Sequence, residues 1–279
     1  KNYFYPDNPQ NYQISQLYLP ICRNGHVDVT LSDGTEKTIR IHEIHMEEDA
    51  GKLVHDEWEG VSYVDYNRSG VPLIEIVSEP DMRSAEEVIA YLTKLRTTIQ
   101  YLGASDCKLQ EGSMRADVNL SVRERGSSEF GTRTETKNLN SFAAIERAIK
   151  AETARQIDLI EAGEKVVQET RRWNDDKEYS YAMRSKEDAQ DYRYFPDPDL
   201  VAIKLSEEYI ENIKNTLPEL PESRRERYLK DYGLSEKDAN IITASKYLSD
   251  LFEGTIKVCN NPKAVNNWII SDISRILNE

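Results

Sequence analysis

Residues 115–122, RADVNLSV, alternate without a fault. Ala116, Val118, Leu120 and Val122 fall on one side of an extended chain, and Arg115, Asp117, Asn119 and Ser121 on the other. A helix would mix the two sets around its axis, whereas the period of two of a strand separates them cleanly. Residues 132–138, TRTETKN, repeat the pattern, with Thr132, Thr134 and Thr136 on one face and Arg133, Glu135 and Lys137 on the other. The intervening RERGSSEF reads as a hairpin loop, so the spacing predicts an antiparallel pair with one densely charged face. Such a face has a bland explanation, because antiparallel sheets commonly leave one side in water. Against it, this face mixes Arg, Asp, Asn, Glu and Lys with almost none of the repetitive Lys/Glu filler of a solvated surface.

The surrounding chain supports an α+β reading. Residues 27–32 and 37–44 flank Asp33-Gly34, a strong hairpin signal. The segment 66–77, YNRSGVPLIEIV, places a strand-like run after a glycine-containing turn. Ser84 with Glu87 forms a capping box opening a helix to about Leu102, which Gly103 stops. A second helix is expected from about Phe142 to Ala162, closed by Gly163. Beyond LPELPES at 217–223, which reads as a linker, everything reads helical. Ser235 with Asp238 is another capping box, and Asn261-Pro262 is an N-cap followed by proline at the first helical position. The boundary is therefore expected near Leu217–Pro221, dividing an α+β domain (1–216) from a helical domain (217–279).

Charge and composition narrow the function. The 279 residues carry a formal charge of −14, which argues against gripping nucleic acid by bulk electrostatics. A local basic groove, or recognition of RNA by shape, stays open. No run approaches the roughly 18–20 uninterrupted apolar residues of a membrane span. Cys22, Cys107 and Cys259 are too far apart for a disulfide framework or a zinc knuckle, which fits a reducing cytoplasm. The chain opens on Lys1 rather than Met, so a fragment of a longer protein is expected.

The densest acidic stretch is IHMEEDAGK, 44–52. If the preceding strand continues through it, Met46 and Glu48 share one side while His45, Glu47 and Asp49 share the other. Crowded carboxylates are tolerable when a divalent cation balances them, and Mg²⁺ takes one or two carboxylates together with waters and phosphates. Glu48 and Glu135 share such an ion only if their strands are neighbours. Glu75, alone among the apolar residues of PLIEIV, is either an exposed alternate or a buried group needing a cation or hydrogen bonds. Other chemistries lack their residues. AGK resembles the end of a phosphate-binding loop, but Met46 stands where the first glycine belongs. There is no G-x-S-x-G elbow and no H-E-x-x-H. With four histidines a zinc site is not expected; His42 and His45 do not share a helix face, and His26 and His55 are expected at the surface. The tyrosines between 178 and 194 suit either packing or stacking on bases.

Several longer strings carry a resemblance. KNYFYPDNPQNYQISQ, IHMEEDAGK, DYNRSGVPLIEIVSEPD, EGSMRADVNLSV, TKNLNSF, QETRRW and DYRYFPDPDL, in this order, closely resemble B subunits of the bacterial and organellar aspartyl/glutamyl-tRNA amidotransferases. The resemblance covers most of residues 1–223 and continues more weakly beyond. It implies one member of a heterotrimer, using ATP and Mg²⁺ to phosphorylate the side-chain carboxylate of Glu-tRNA(Gln) or Asp-tRNA(Asn). Ammonia from the partner amidase then completes the amide, and a small third protein clamps the other two together. The implied fold is an antiparallel-sheet cradle resembling the glutamine synthetase catalytic domain, followed by an all-helical domain.

By position in these motifs, the resemblance implies Glu48, Asp117 and Glu135 as catalytic residues. Glu48 and Glu135, with Glu75 and Glu111 after them, are the implied metal ligands. Arg115, Lys137 and Arg193 are implied as phosphate or substrate contacts, although Arg193 equally suits a structural pairing with Asp191 or Asp197. The family's Gly-Leu-Glu-x-His segment and its tail domain fall outside these 279 residues. The fragment by itself is therefore expected to fold at least in its helical half and to be inactive. Two rival readings are a stand-alone ligase resembling glutamine synthetase, which needs no tRNA, and a non-catalytic tRNA-binding scaffold, which binds no metal.

Overall fold

The structure is a computed structural model that describes residues 1–56, 58–185 and 192–278. They fall into two compact units. The first takes in Lys1–Tyr91, Asp117–Asn138 and Ala143–Lys204; the second takes in Leu92–Ala116, Leu139–Phe142 and Leu205–Glu279.

Among the described residues the first unit holds three sheets. β1 (Cys22–Thr30), β2 (Glu36–Glu48) and β5 (Pro72–Ser78) form a three-stranded antiparallel sheet with β2 in the centre. Asp33-Gly34 turns β1 into β2 as the sequence predicts: Gly34 takes φ +85°, and Asp33 accepts a hydrogen bond from the Thr35 amide. β3 (Lys52–Asp56) and β4 (Val61–Asp65) form a separate two-stranded ribbon. The third sheet has the order β6 (Val118–Leu120), β7 (Thr134–Lys137), β8 (Glu169–Asn174) and β9 (Tyr179–Ser185).

The expected alternating pair is present as β6 and β7, antiparallel, but shorter than the pattern that predicts it. Residues 115–117 lie outside the ladder, so Arg115 does not share the strand face that alternation assigned it. A second difference is that β7 and β8 run parallel. A parallel pair needs a long crossover, and α2 (Phe142–Glu161) supplies it. Thr134 and Thr136 face inward from β7 and are 0% and 2% exposed. The Thr134 hydroxyl donates to Glu152 of α2 at 2.7 Å, and Gln156 donates to both Glu152 and Thr134. The polar Thr134 can face this interior because α2 answers it with Glu152 and Gln156.

The second unit is helical. It contains most of α1 (Ala85–Tyr101), whose N-cap Ser84 accepts from the Glu87 amide, and α3 (Glu207–Thr216) through α8 (Ser274–Asn278). The linker-like Leu217–Pro221 lies inside this unit, between α3 and α4 (Pro221–Tyr232). Its core is Tyr228, Leu234, Ala239, Ile242, Phe252, Val265 and Ile269. The capping signals act as the sequence predicts: Ser235 opens α5 (Glu236–Thr243), and Asn261 opens α7 (Pro262–Trp268) with proline at its start. A π-helical turn, Ile269–Ile273, joins α7 to α8. Among the described residues no helix is long and apolar enough to cross a membrane, and Cys22, Cys107 and Cys259 are free thiols.

Candidate active site

Strand β2 continues through the acidic stretch as far as Glu48, so the alternation rule applies to it. Glu43, His45 and Glu47 share one face, and the register sets Glu75 of β5 directly opposite His45. The His45 ring is 8% exposed. Its Nε2 lies 3.4 Å from Glu47 Oε1 and 3.4 Å from Glu75 Oε2, while Nδ1 lies 3.4 Å from Glu43 Oε1. These separations are long for hydrogen bonds, and Nδ1 is buried without a hydrogen-bond partner. One ligand atom each from His45, Glu47 and Glu75 lies within 4.8 Å of the others. An imidazole and two carboxylates so placed are a donor set that divalent cations accept.

One positive charge of the chain already serves this cluster. Lys1 Nζ lies 3.5 Å from Glu47 Oε1 and sits over the rings of Tyr192 and Tyr194, 5.4 and 6.0 Å from their centroids. The Ser15 hydroxyl donates to the same Glu47 oxygen at 2.6 Å. Of the tyrosine-rich segment, Tyr192 and Tyr194 thus pack against this ammonium.

The three consecutive carboxylates have three different environments. Glu47 faces His45 and Lys1. Glu48 points to the other side of β2, where its Oε2 accepts from Gln10 Nε2 and from the Ile14 amide, both at 3.2 Å. Asp49 is paired with Arg68, whose Nε is 3.0 Å from Asp49 Oδ2. Splitting the charges in this way relieves the repulsion that their adjacency suggests.

The polar face of the third sheet carries the second group. Lys137 Nζ donates to Asp117 Oδ2 and lies 3.2 Å from Glu135 Oε1, and Thr170 of β8 donates to Glu135 Oε2 at 3.0 Å. Desolvation works against the Lys137 ammonium, but Asp117 and Glu135 together outweigh it and hold its pKa above the ordinary lysine value.

The structure thus brings together Asp117, Glu135 and Lys137 in one group, and Glu75 with His45 and Glu47 in another. It does not make β2 and β7 neighbours: β2 lies between β1 and β5, and β7 lies between β6 and β8. The condition for Glu48 and Glu135 to share one ion is therefore not met through strand pairing. Glu111 is exposed and ion-paired with Lys108 at 2.8 Å in the loop after α1, and Arg115 is exposed ahead of β6; both belong to the second unit. Arg193 is exposed and takes a left-handed φ of +47°. Asp191, one of the two partners considered for it, lies outside the described residues. His26 and His55 are exposed, as the sequence suggests.

Sequence reasoning missed His45 and Glu47 as members of a cluster. Their shared side was legible, but the register that sets His45 opposite Glu75 joins strands that are not consecutive.

The described residues thus hold an imidazole and two carboxylates on one sheet beside an ammonium, and a charged strand face on a second sheet. Residues 1–211 match the family model described as the GatB/GatE catalytic domain, and the chain belongs to this family. The relatives it resembles include proteins named as the B subunit of aspartyl/glutamyl-tRNA(Asn/Gln) amidotransferase. Those of Lachnospira eligens, Agathobacter rectalis and Lachnoclostridium phytofermentans are 82%, 70% and 66% identical to it over all 279 residues. In each case the chain spans 58% of the relative's length.

Proposed function

We propose that this chain is the catalytic portion of a tRNA-dependent amidotransferase B subunit. Acting in a heterotrimer with an amidase and a small clamping protein, it activates the side-chain carboxylate of Glu-tRNA(Gln) or Asp-tRNA(Asn) by phosphorylation, and ammonia then converts it to the amide. The α+β portion is read as a cradle of the glutamine synthetase kind. A carboxylate is a poor electrophile, and the acyl phosphate gives it a leaving group; that step is mostly positioning and charge neutralisation. The observation that carries the reading is the meeting of His45, Glu47 and Glu75 on β2 and β5, with His45 buried and its Nδ1 lacking a hydrogen-bond partner.

These residues fit a divalent cation, which when bound neutralises and orients phosphate oxygens. His45, Glu47 and Glu75 would hold it, while Glu48, next in the chain, turns to the other side of β2. Lys137 is charged at neutral pH as any lysine is, Asp117 and Glu135 raise its pKa further, and its ammonium can donate to an anionic oxygen. Asp117, Glu135 and Thr170 line the same face with acceptors and a hydroxyl, which suits the passage of ammonia. Arg115 and Arg193 are assigned to substrate contacts, and Glu111 to a secondary cation contact.

The test is ATP-dependent conversion of Glu-tRNA(Gln) by the full-length protein with its partners. His45→Ala and Glu75→Gln are each expected to lower the rate about 10–100-fold with glutamine hydrolysis retained. Unchanged conversion in both variants would remove the cluster from the reaction.

A further inference from the structure

Arg68 has no part in the groups described above except through Asp49, and its placement is specific. It lies in the turn that leads from β4 into β5, closed by hydrogen bonds from the Ser69 amide to Tyr66 O and from the Val71 amide to Arg68 O. Its guanidinium reaches back to the end of β2. Nε is 3.0 Å from Asp49 Oδ2 and 3.3 Å from Ala50 O, and Nη2 is 3.4 Å from Gly51 O. The Asp49 carboxylate is 10% exposed, and its other oxygen accepts from the Ala50 amide at 2.9 Å. The Asp49 backbone bonds the same turn twice, donating to Val71 O and accepting from the Gly70 amide, each at 2.9 Å.

Gly51 closes the other side. Its amide donates to Asp7 O at 2.8 Å, and an added Cβ would lie 2.7 Å from Asp65 O and 3.0 Å from Asp7 O. The strand end is thus fastened on both flanks by groups that carry no chemistry of their own.

What this fastening fixes is register. Glu48 pairs with Pro72, Glu47 with Leu73 and His45 with Glu75. A slip of one residue turns every β5 side chain to the opposite face, taking Glu75 away from His45 and Glu47. The β2–β5 pair is not joined by a tight hairpin, and it already contains an irregularity between Ile41 and Glu43. Its register therefore needs a pin near Pro72, and the Asp49–Arg68 pair stands there.

We propose that Arg68 is a positioning residue that, through Asp49 and the carbonyls of Ala50 and Gly51, holds β2 and β5 in the register that assembles the His45–Glu47–Glu75 cation site. The inference rests on the cation reading given under the proposed function.

The experiment uses the full-length protein with its partners. Mn²⁺ is titrated and followed by electron paramagnetic resonance, and amide hydrogen exchange is measured across residues 44–48 and 72–76. Arg68→Ala is expected to weaken Mn²⁺ binding about tenfold and to speed exchange in those two segments. Arg68→Lys keeps the charge but loses the fork, so it recovers part of the affinity and guards against a variant that merely misfolds. Parental Mn²⁺ affinity in Arg68→Ala, even with a lowered melting temperature, would overturn the proposal, because a purely structural role moves stability alone. If the parent protein itself binds no Mn²⁺, the cation reading fails, and unchanged exchange in Arg68→Ala then overturns the positioning claim separately.

Discussion

At the scale of single residues, burial separates groups that the sequence presents as equivalent. Glu152 is one of several acids on α2, yet its side chain is 2% exposed. It accepts from Thr134, Gln156 and Arg155, and Arg171 of β8 lies 3.5 Å away. Burial works against its charge, but these donors more than offset it and hold its pKa below the ordinary value of 4.5. A carboxyl depressed in the folded state stabilises the protein above its ordinary pKa, and that stability is lost as pH falls through the folded value. Glu152→Ala leaves Arg155 and Arg171 without their buried partner. It should cost about 3–5 kcal/mol in urea unfolding at about pH 7, with a smaller difference from the parent at acidic pH, where Glu152 is protonated. The alternation in TRTETKN revealed that Thr134 and Thr136 share a face. That this face is the buried one was not legible, because threonine is common on both sides of a sheet.

At the scale of elements, local rules served where the determinants lie within a few residues. Caps, stop glycines and the Asp33-Gly34 turn were read correctly because each rests on a side chain, or on a φ, a few positions from the group it satisfies. Ser235 illustrates this: it accepts from the Asp238 amide and satisfies one of the open donors of α5. Ser235→Ala should cost about 1 kcal/mol in thermal or urea unfolding, and Ser235→Gly only a few tenths. Strand lengths were read less well. The alternation extends over 115–122, but hydrogen-bonded pairing is confined to Val118–Leu120, because alternation of side chains does not fix how far a ladder runs. The parallel β7–β8 pair was invisible, because QETRRW contains nothing that states which strand it joins or in which direction.

At the scale of the whole molecule, the compact units are assembled from segments far apart in the chain. The second unit takes in 92–116 and 139–142 as well as the C-terminal helices. Tyr101 of α1 donates its hydroxyl to Thr243 O at 2.8 Å and lies equally close to Ser249 Oγ. Its core is small and closely interlocked: Phe252, 0% exposed, has the Tyr228 ring 5.0 Å away and the Tyr232 ring 5.6 Å away. Phe252→Ala should therefore cost about 3–5 kcal/mol, measured as a loss of helical signal in urea. A boundary drawn from prolines at 217–221 marks a change of helix rather than the edge of a unit.

By itself the sequence determined the β1–β2 hairpin, the strand-like runs of β5, β6 and β7, where several helices start and stop, and which side chains of one strand share a face, whereas β3, β4, β8 and β9 were not read from it. These depend on periodicity and on neighbours a few positions away. Only the tertiary structure decided that His45 meets Glu75, that Asp49 belongs to Arg68, and that Glu48 and Glu135 lie in separate sheets. Strand order and register are set by which distant surfaces bury each other, and no local pattern of charge or hydropathy encodes that choice.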